Sequence, residues 1–277
     1  MDYELIAFDM DGTLLDTRKR VLPSSTAAID EAVSAGKTVA ICSGRCPKMI
    51  ELDQASFDRV RYAICCNGSI IYDLFEHRVL SSESLDHEVV AAAVEALGDE
   101  DAMIDVFLGR GYFCQTSHIE NMPHYSMGIY QDMYRATATQ VEDIRKTMLD
   151  PTARYQKFIF HFASPDARTR VRARVEALPV ELADSETASL EFSPAGVDKG
   201  SGLLALADLL GIPREATIAV GDADNDLPML QCAGLSVAMG NANENARAAA
   251  DVIVSDNDHD GCAEAIHRFL LGAPQEA

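Results

Sequence analysis

The sequence predicts an α/β protein whose doubly wound, mostly parallel core sheet is interrupted by an inserted α+β module. Three observations carry that expectation. Short apolar runs recur at residues 5–8, 38–42, 62–66, 217–220, 235–239 and 252–254, the pattern of strands buried on both faces. Stretches with helical spacing follow several of them, and strand-helix alternation builds a layered sheet. Between residues 82 and 193 the alternation gives way to hairpin-like and helix-strand units.

Taken in order, Ser24 or Ser25 is placed to cap a first helix whose apolar side carries Ile29, Ala32 and Val33, with Gly36 just past its end. In the insert, Val89, Val90, Ala93, Val94 and Leu97 form one helix face. Residues 102–107 and 112–116 read as a hairpin around Leu108-Gly109-Arg110-Gly111. Phe158, Phe160 and Phe162 alternate with Lys157 and His161, which predicts a strand with one solvated face. A helix with Val171, Val175 and Leu178 follows, then strands near 180–182 and 189–192. Leu203, Leu206, Ala207 and Leu210 mark a helix in the returning segment, stopped by Gly211 and Pro213. Residues 1–81 and 194–277 are therefore expected to form one core and 82–193 an insert, with the tail 272–277 frayed.

Composition narrows the function. The 277 residues carry a formal net charge of −21 with 48% hydrophobic residues, ordinary globular material for about two domains. Such an acidic chain is not a partner for nucleic acid or an anionic membrane, because both demand cationic surface. Small anionic substrates stay open, since local cations or a metal override the global field. The N-terminus shows neither a basic segment nor a long apolar one, and no run approaches the ~20 residues of a membrane span. Seven cysteines without a CxxC pair suit a reduced, cytoplasmic protein, with Cys46 expected in a polar loop.

Four motifs carry chemistry. The first strand runs into Asp9-Met10-Asp11-Gly12-Thr13. Carboxylates two apart in extended chain face one side, and strand C-termini are where open α/β sheets bind ligands. Ser43-Gly44-Arg45 follows the second strand, offering a hydroxyl and a close backbone approach for phosphate oxygens. Lys199 sits at a helix start, where a cation is electrostatically misplaced unless it has a task. Gly221-Asp222-Ala223-Asp224-Asn225-Asp226 gathers acids suited to a divalent cation. It is not a calcium loop, because Leu227 stands where that loop needs glycine and Ala233 where it needs glutamate.

These phrases, in this order, together with Cys66-Asn67-Gly68, Asp198-Lys199-Gly200 and Met239-Gly240-Asn241-Ala242, resemble the haloacid dehalogenase-like phosphatase superfamily. Within it the chain is most similar to the Cof-type group, which places an α/β cap between its second and third motifs. The resemblance spans nearly the whole chain, with Ser43 where threonine is more usual. It implies a Rossmann-like core with an inserted α+β cap domain, and a magnesium-dependent phosphatase acting on small phosphorylated metabolites. By that resemblance Asp9 is the nucleophile that forms an aspartyl-phosphate, and Asp11 is the general acid and base. Mg2+ would be held by Asp9, the Asp11 carbonyl and Asp222, with Asp226 as a further acid. Ser43, Gly44 and Lys199 would bind the phosphoryl group, and Asn225 would orient Lys199 or Asp222. The cap would close over the reaction and set specificity, with Arg110, His118, His124, Tyr125, Tyr130 and Lys157 as candidates. A phosphomutase and a non-catalytic metabolite-binding relative remain alternatives. The oligomeric state is not legible.

Overall fold

The computed structural model describes residues 2–272; most of the tail expected to fray, 273–277, lies outside them. The chain divides into two compact units. One takes the residues up to Ser81 and those from Asp198 on; the other is Ser82–Val197.

The core unit is an eight-stranded sheet. Its strands are β1 (Leu5–Phe8), β2 (Thr38–Cys42), β3 (Tyr62–Cys65), β4 (Ile70–Asp73) and β5 (Arg78–Ser82), then β12 (Thr217–Gly221), β13 (Leu235–Ala238) and β14 (Val252–Ile253) after the insert. Their order is β14-β13-β12-β1-β2-β3-β4-β5. From β14 to β3 every pairing is parallel, and β1 is the centre, with Phe8 level with Val220 on one side and Ile41 on the other. All four β1 residues are fully buried, as a strand covered on both faces requires. The β3–β4 pair is antiparallel. Its reversal uses Cys66, Asn67 and Gly68, all at positive φ. Gly68 is needed twice over, since a Cβ there would lie 2.0 Å from the Asp198 carbonyl oxygen. This hairpin was not expected from the sequence.

The first helix, Pro23–Ser34, starts differently from expectation. Leu22 is at the N-cap and no side chain caps it. A proline at the first turn supplies the helical φ and has no N–H to satisfy. Ser24 donates instead to Asp260 Oδ1, and Ser25 is buried. The returning helix, Lys199–Leu210, is capped by Asp198 in a reciprocal arrangement with Ser201 and ends at left-handed Gly211.

The inserted unit is a six-stranded sheet built from β6 (Ala102–Leu108), β7 (Gly111–Gln115), β8 (Thr139–Val141), β9 (Lys157–Phe162), β10 (Val180–Ser185) and β11 (Ser189–Pro194). The order is β10-β11-β9-β6-β7-β8. On one face Phe158, Phe160, Phe162 and Phe192 pack with Val89, Val90, Ala93 and Leu97 of helix His87–Leu97 and with Val171 and Val175 of helix Pro165–Val175. The other face departs from the prediction. Lys157 and His161 are 1% and 2% exposed, so β9 has no solvated face. Lys157 Nζ lies 2.6 Å from Glu191 Oε2, and the His161 ring bridges Ser189 Oγ at 2.6 Å and Asp105 Oδ2 at 2.8 Å. The segment 116–137 contributes here: Tyr134 donates to Asp105 Oδ2 at 2.6 Å and meets Tyr112 edge-on. Alternation of polar and apolar residues announces two unlike faces; it does not say that the polar one meets water, because buried polar groups can satisfy one another. Cys46 is likewise buried rather than in an open polar loop.

Tyr134→Phe deprives a buried carboxylate of a donor, a loss of about 1–3 kcal/mol. Urea unfolding of the variant should show a decrease of that order, and undiminished stability would show that Tyr134 does not support Asp105.

Candidate active site

The site lies within the core unit, at the C-terminal ends of β1, β2 and β12. Asp9 follows β1 and continues its line, its N–H donating to the Val220 carbonyl at 3.0 Å. The chain then turns: Leu14 N–H returns to the Asp9 carbonyl and Leu15 N–H to that of Met10. Gly12 makes the turn possible, with φ +90 and no room for a Cβ, which would stand 2.4 Å from Asp222 Oδ2. The Asp222 carboxylate is fixed from the same turn by the Thr13 hydroxyl, which donates to Oδ1 at 2.7 Å.

Lys199 is the buried cation of the site. Helix Lys199–Leu210 delivers it, and its Nζ lies 2.5 Å from Asp9 Oδ1 and 2.6 Å from Asp226 Oδ1. The second Asp226 oxygen accepts the N–H groups of Asp222 at 2.8 Å and Ala223 at 3.0 Å. Asp226 therefore ties the lysine to the backbone of the loop that carries Asp222. Asp9, Asp222 and Asp226 each present a carboxylate oxygen within 4.8 Å of the other two.

Three carboxylates face one ammonium, with Lys199 and Asp226 fully buried and Asp222 partly so. Burial pushes the Asp9 carboxyl up, to about 8, against the pull of Lys199, and the Asp226 and Asp222 charges add to the rise. Burial also pushes Asp222 up, to about 6. For Lys199, burial works against the charge, but Asp226 and Asp9 outweigh it and hold the ammonium well above the ordinary lysine range.

Asp9 and Asp11, expected from the sequence to aim at one volume, take different partners. Asp11 Oδ2 accepts from Arg45 Nε at 3.0 Å, and its Oδ1 from Arg45 Nη2 at 2.9 Å and Lys19 Nζ at 2.7 Å. The turn begins at once after Asp9, so the same-side rule for extended chain no longer applies. Burial raises Asp11, but Arg45 and Lys19 outweigh it and keep the carboxyl below the usual range. Ser43 follows β2 on the strand beside β1; it is buried, with its N–H on the Ile64 carbonyl and its Oγ accepting Arg45 N–H at 3.3 Å. Gly44 lies between them in the same loop. Asn225 does not take the expected part: it is exposed, while Asp226 orients Lys199 and Thr13 orients Asp222. Asn241 braces the motif by donating to the Gly12 carbonyl at 2.8 Å. Thr13, Lys19 and Asp53 were missed. For Lys19 a signal existed: Arg18-Lys19-Arg20 is a run of three cations in a strongly acidic chain.

A model of haloacid dehalogenase-like hydrolases matches residues 6–266. The chain belongs to the haloacid dehalogenase-like hydrolase family. It is 29% identical over 280 residues to the pyridoxal phosphate phosphatase YbhA of Escherichia coli, covering 98% of this chain and 100% of that one. It is 28% identical to the 5-amino-6-(5-phospho-D-ribitylamino)uracil phosphatase YcsE of Bacillus subtilis, covering 98% and 97%. A haloacid dehalogenase-like hydrolase from Bacteroides thetaiotaomicron superposes with a TM-score of 0.81 at 28% identity, covering 96% of this hydrolase and 99% of that chain. Among the described residues, no helix is long and apolar enough to cross a membrane.

Asp226→Ala takes one carboxylate from the buried ammonium and the acceptor from two loop N–H groups. Breaking a buried pair on one side costs about 3–5 kcal/mol. Chemical denaturation should show a loss of that order; wild-type stability would mean that Lys199 does not depend on Asp226.

Proposed function

We propose that this protein is a magnesium-dependent phosphatase that hydrolyses small phosphate monoesters through an aspartyl-phosphate on Asp9. The observation that carries the reading is the Lys199 ammonium held between Asp9 and Asp226 beside Asp222. A buried cation next to a carboxylate nucleophile supplies what phosphoryl transfer demands, charge stabilisation at the site of attack. The family membership and the phosphatase names of the relatives support it.

The residues fit magnesium. Their donors are hard carboxylate oxygens, few in number, as that ion prefers. Both Asp226 oxygens are engaged by Lys199 and the loop amides, so Asp9, Asp222 and the Asp11 carbonyl would hold the ion. Bound there, it would offset the repulsion between carboxylates and a phosphate dianion.

The chain's own groups perform the steps. An Asp9 carboxylate oxygen attacks phosphorus, and the bond from phosphorus to the ester oxygen breaks. Asp11 enters the cycle protonated, against the pull of Arg45 and Lys19, and delivers that proton to the departing alkoxide. Water then attacks the phosphoryl group while Asp11 takes its proton, which restores the Asp9 carboxylate and releases phosphate. Lys199, with Ser43 and the Gly44 backbone, stabilises the phosphoryl oxygens.

In a phosphate-release screen over a panel of sugar phosphates, nucleotides and phosphorylated cofactors with MgCl2, the wild type should be active and Asp9→Asn inactive. Retained turnover in Asp9→Asn would sink the mechanism. Metal binding should also be proton-linked. The raised Asp9 and Asp222 carboxyls hold protons near pH 6, and an incoming divalent ion must displace them. The melting-temperature increase caused by MgCl2 should therefore be larger at pH 8 than at pH 5.5. An increase independent of pH would place the ion elsewhere.

A further inference from the structure

We infer that Lys19 and Asp53 are positioning residues for Asp11, Lys19 by direct contact and Asp53 through Arg45. The inference rests on the phosphatase reading above. A carboxyl that works on both the leaving group and the attacking water must be held at one place between them, and Asp11 is on a turn, half exposed, with no strand pairing of its own beyond a single bridge to Leu15. Its place is set by cations.

Arg45 is the rigid part. Its Nε and Nη2 grip both Asp11 oxygens, and its Nη1 donates to Asp53 Oδ2 at 2.9 Å. A planar guanidinium bound along both edges transmits the position of Asp53 to Asp11.

Lys19 is the second part, and its own turn is built to present it. Asp16 N–H donates to the Arg20 carbonyl at 2.8 Å, and the buried Asp16 Oδ1 accepts the N–H groups of Arg18 at 2.9 Å and Arg20 at 2.8 Å. The turn is also pinned from outside, since Thr17 N–H and hydroxyl both donate to Asp258 Oδ1. Within this clamp Lys19 takes a left-handed backbone, φ +60, a conformation lysine seldom adopts. The outcome is an ammonium 2.7 Å from Asp11 Oδ1. An exposed ion pair adds little stability, so a turn this constrained is explained by where it puts the charge.

The test is leaving-group dependence. p-Nitrophenolate departs without a proton, whereas phenolate needs one more. The ratio of kcat/KM for p-nitrophenyl phosphate over phenyl phosphate therefore reads how well Asp11 delivers its proton. With MgCl2 present, Lys19→Met should widen this ratio on the order of tenfold, a fraction of what general acid catalysis contributes, because a misplaced Asp11 loses more than the easier protonation left by the missing ammonium returns; a narrowed ratio would overturn the inference. Lys19→Arg should restore it, and Asp53→Asn should shift it in the same direction. Equal losses on both esters would make Lys19 a substrate-binding cation, and unchanged kinetics would make it a surface residue; either overturns the inference while leaving a working phosphatase. A wild type inactive on both esters and on the metabolite panel would instead remove the phosphatase reading, and this inference with it.

Discussion

The Lys199 ammonium is sealed from water at the meeting point of two chain segments far apart in sequence, and the site is organised around neutralising it. An isolated buried ion costs several kcal/mol, so its partners cannot wander. Asp9 and Asp226 supply the charge at 2.5 and 2.6 Å. Asp226 then hands the constraint to the loop after β12 through the amides of Asp222 and Ala223. The capped start of helix Lys199–Leu210, the end of β1 and the end of β12 are thereby held in one arrangement. Parallel strand pairing brings β1 and β12 side by side in register; the ion-pair cluster fixes what projects from their ends.

The same cluster leaves negative charge in excess beside the ammonium. Three carboxylates around one ammonium leave Asp9 and Asp222 holding protons more tightly than free carboxyls do. Asp11 stands apart from this economy of charge. Arg45 and Lys19 satisfy it, so the two aspartates of one short motif live in opposite electrostatic surroundings.

Much of the fold was legible because its signals are local. The core strands announced themselves as short apolar runs, and all six are present. The insert's helix face at Val89–Val94 positions and its phenylalanine alternation also hold in the structure. What escaped were features whose cause lies elsewhere in the chain. The β3–β4 reversal depends on three left-handed residues packed against Asp198. The burial of Lys157 and His161 depends on partners from β6 and β11, and the segment 116–137 that supplies Tyr134 is made of helices too short to show a period.

For the site, the sequence by itself determined which chemistry is present: the residues Asp9, Asp11, Ser43, Lys199, Asp222 and Asp226, each at the end of a buried strand or the start of a helix, where backbone geometry leaves side chains projecting. Only the tertiary structure decided how they are shared out. Lys199 is bound by Asp9 and Asp226 rather than oriented by Asn225, Asp222 is steadied by Thr13, and Asp11 is turned toward Lys19 and Arg45. Hydrogen-bond partners 190 and 209 residues apart are chosen by strand order, turn conformation and the cost of leaving a buried charge unmatched. None of these is written in the spacing of a motif.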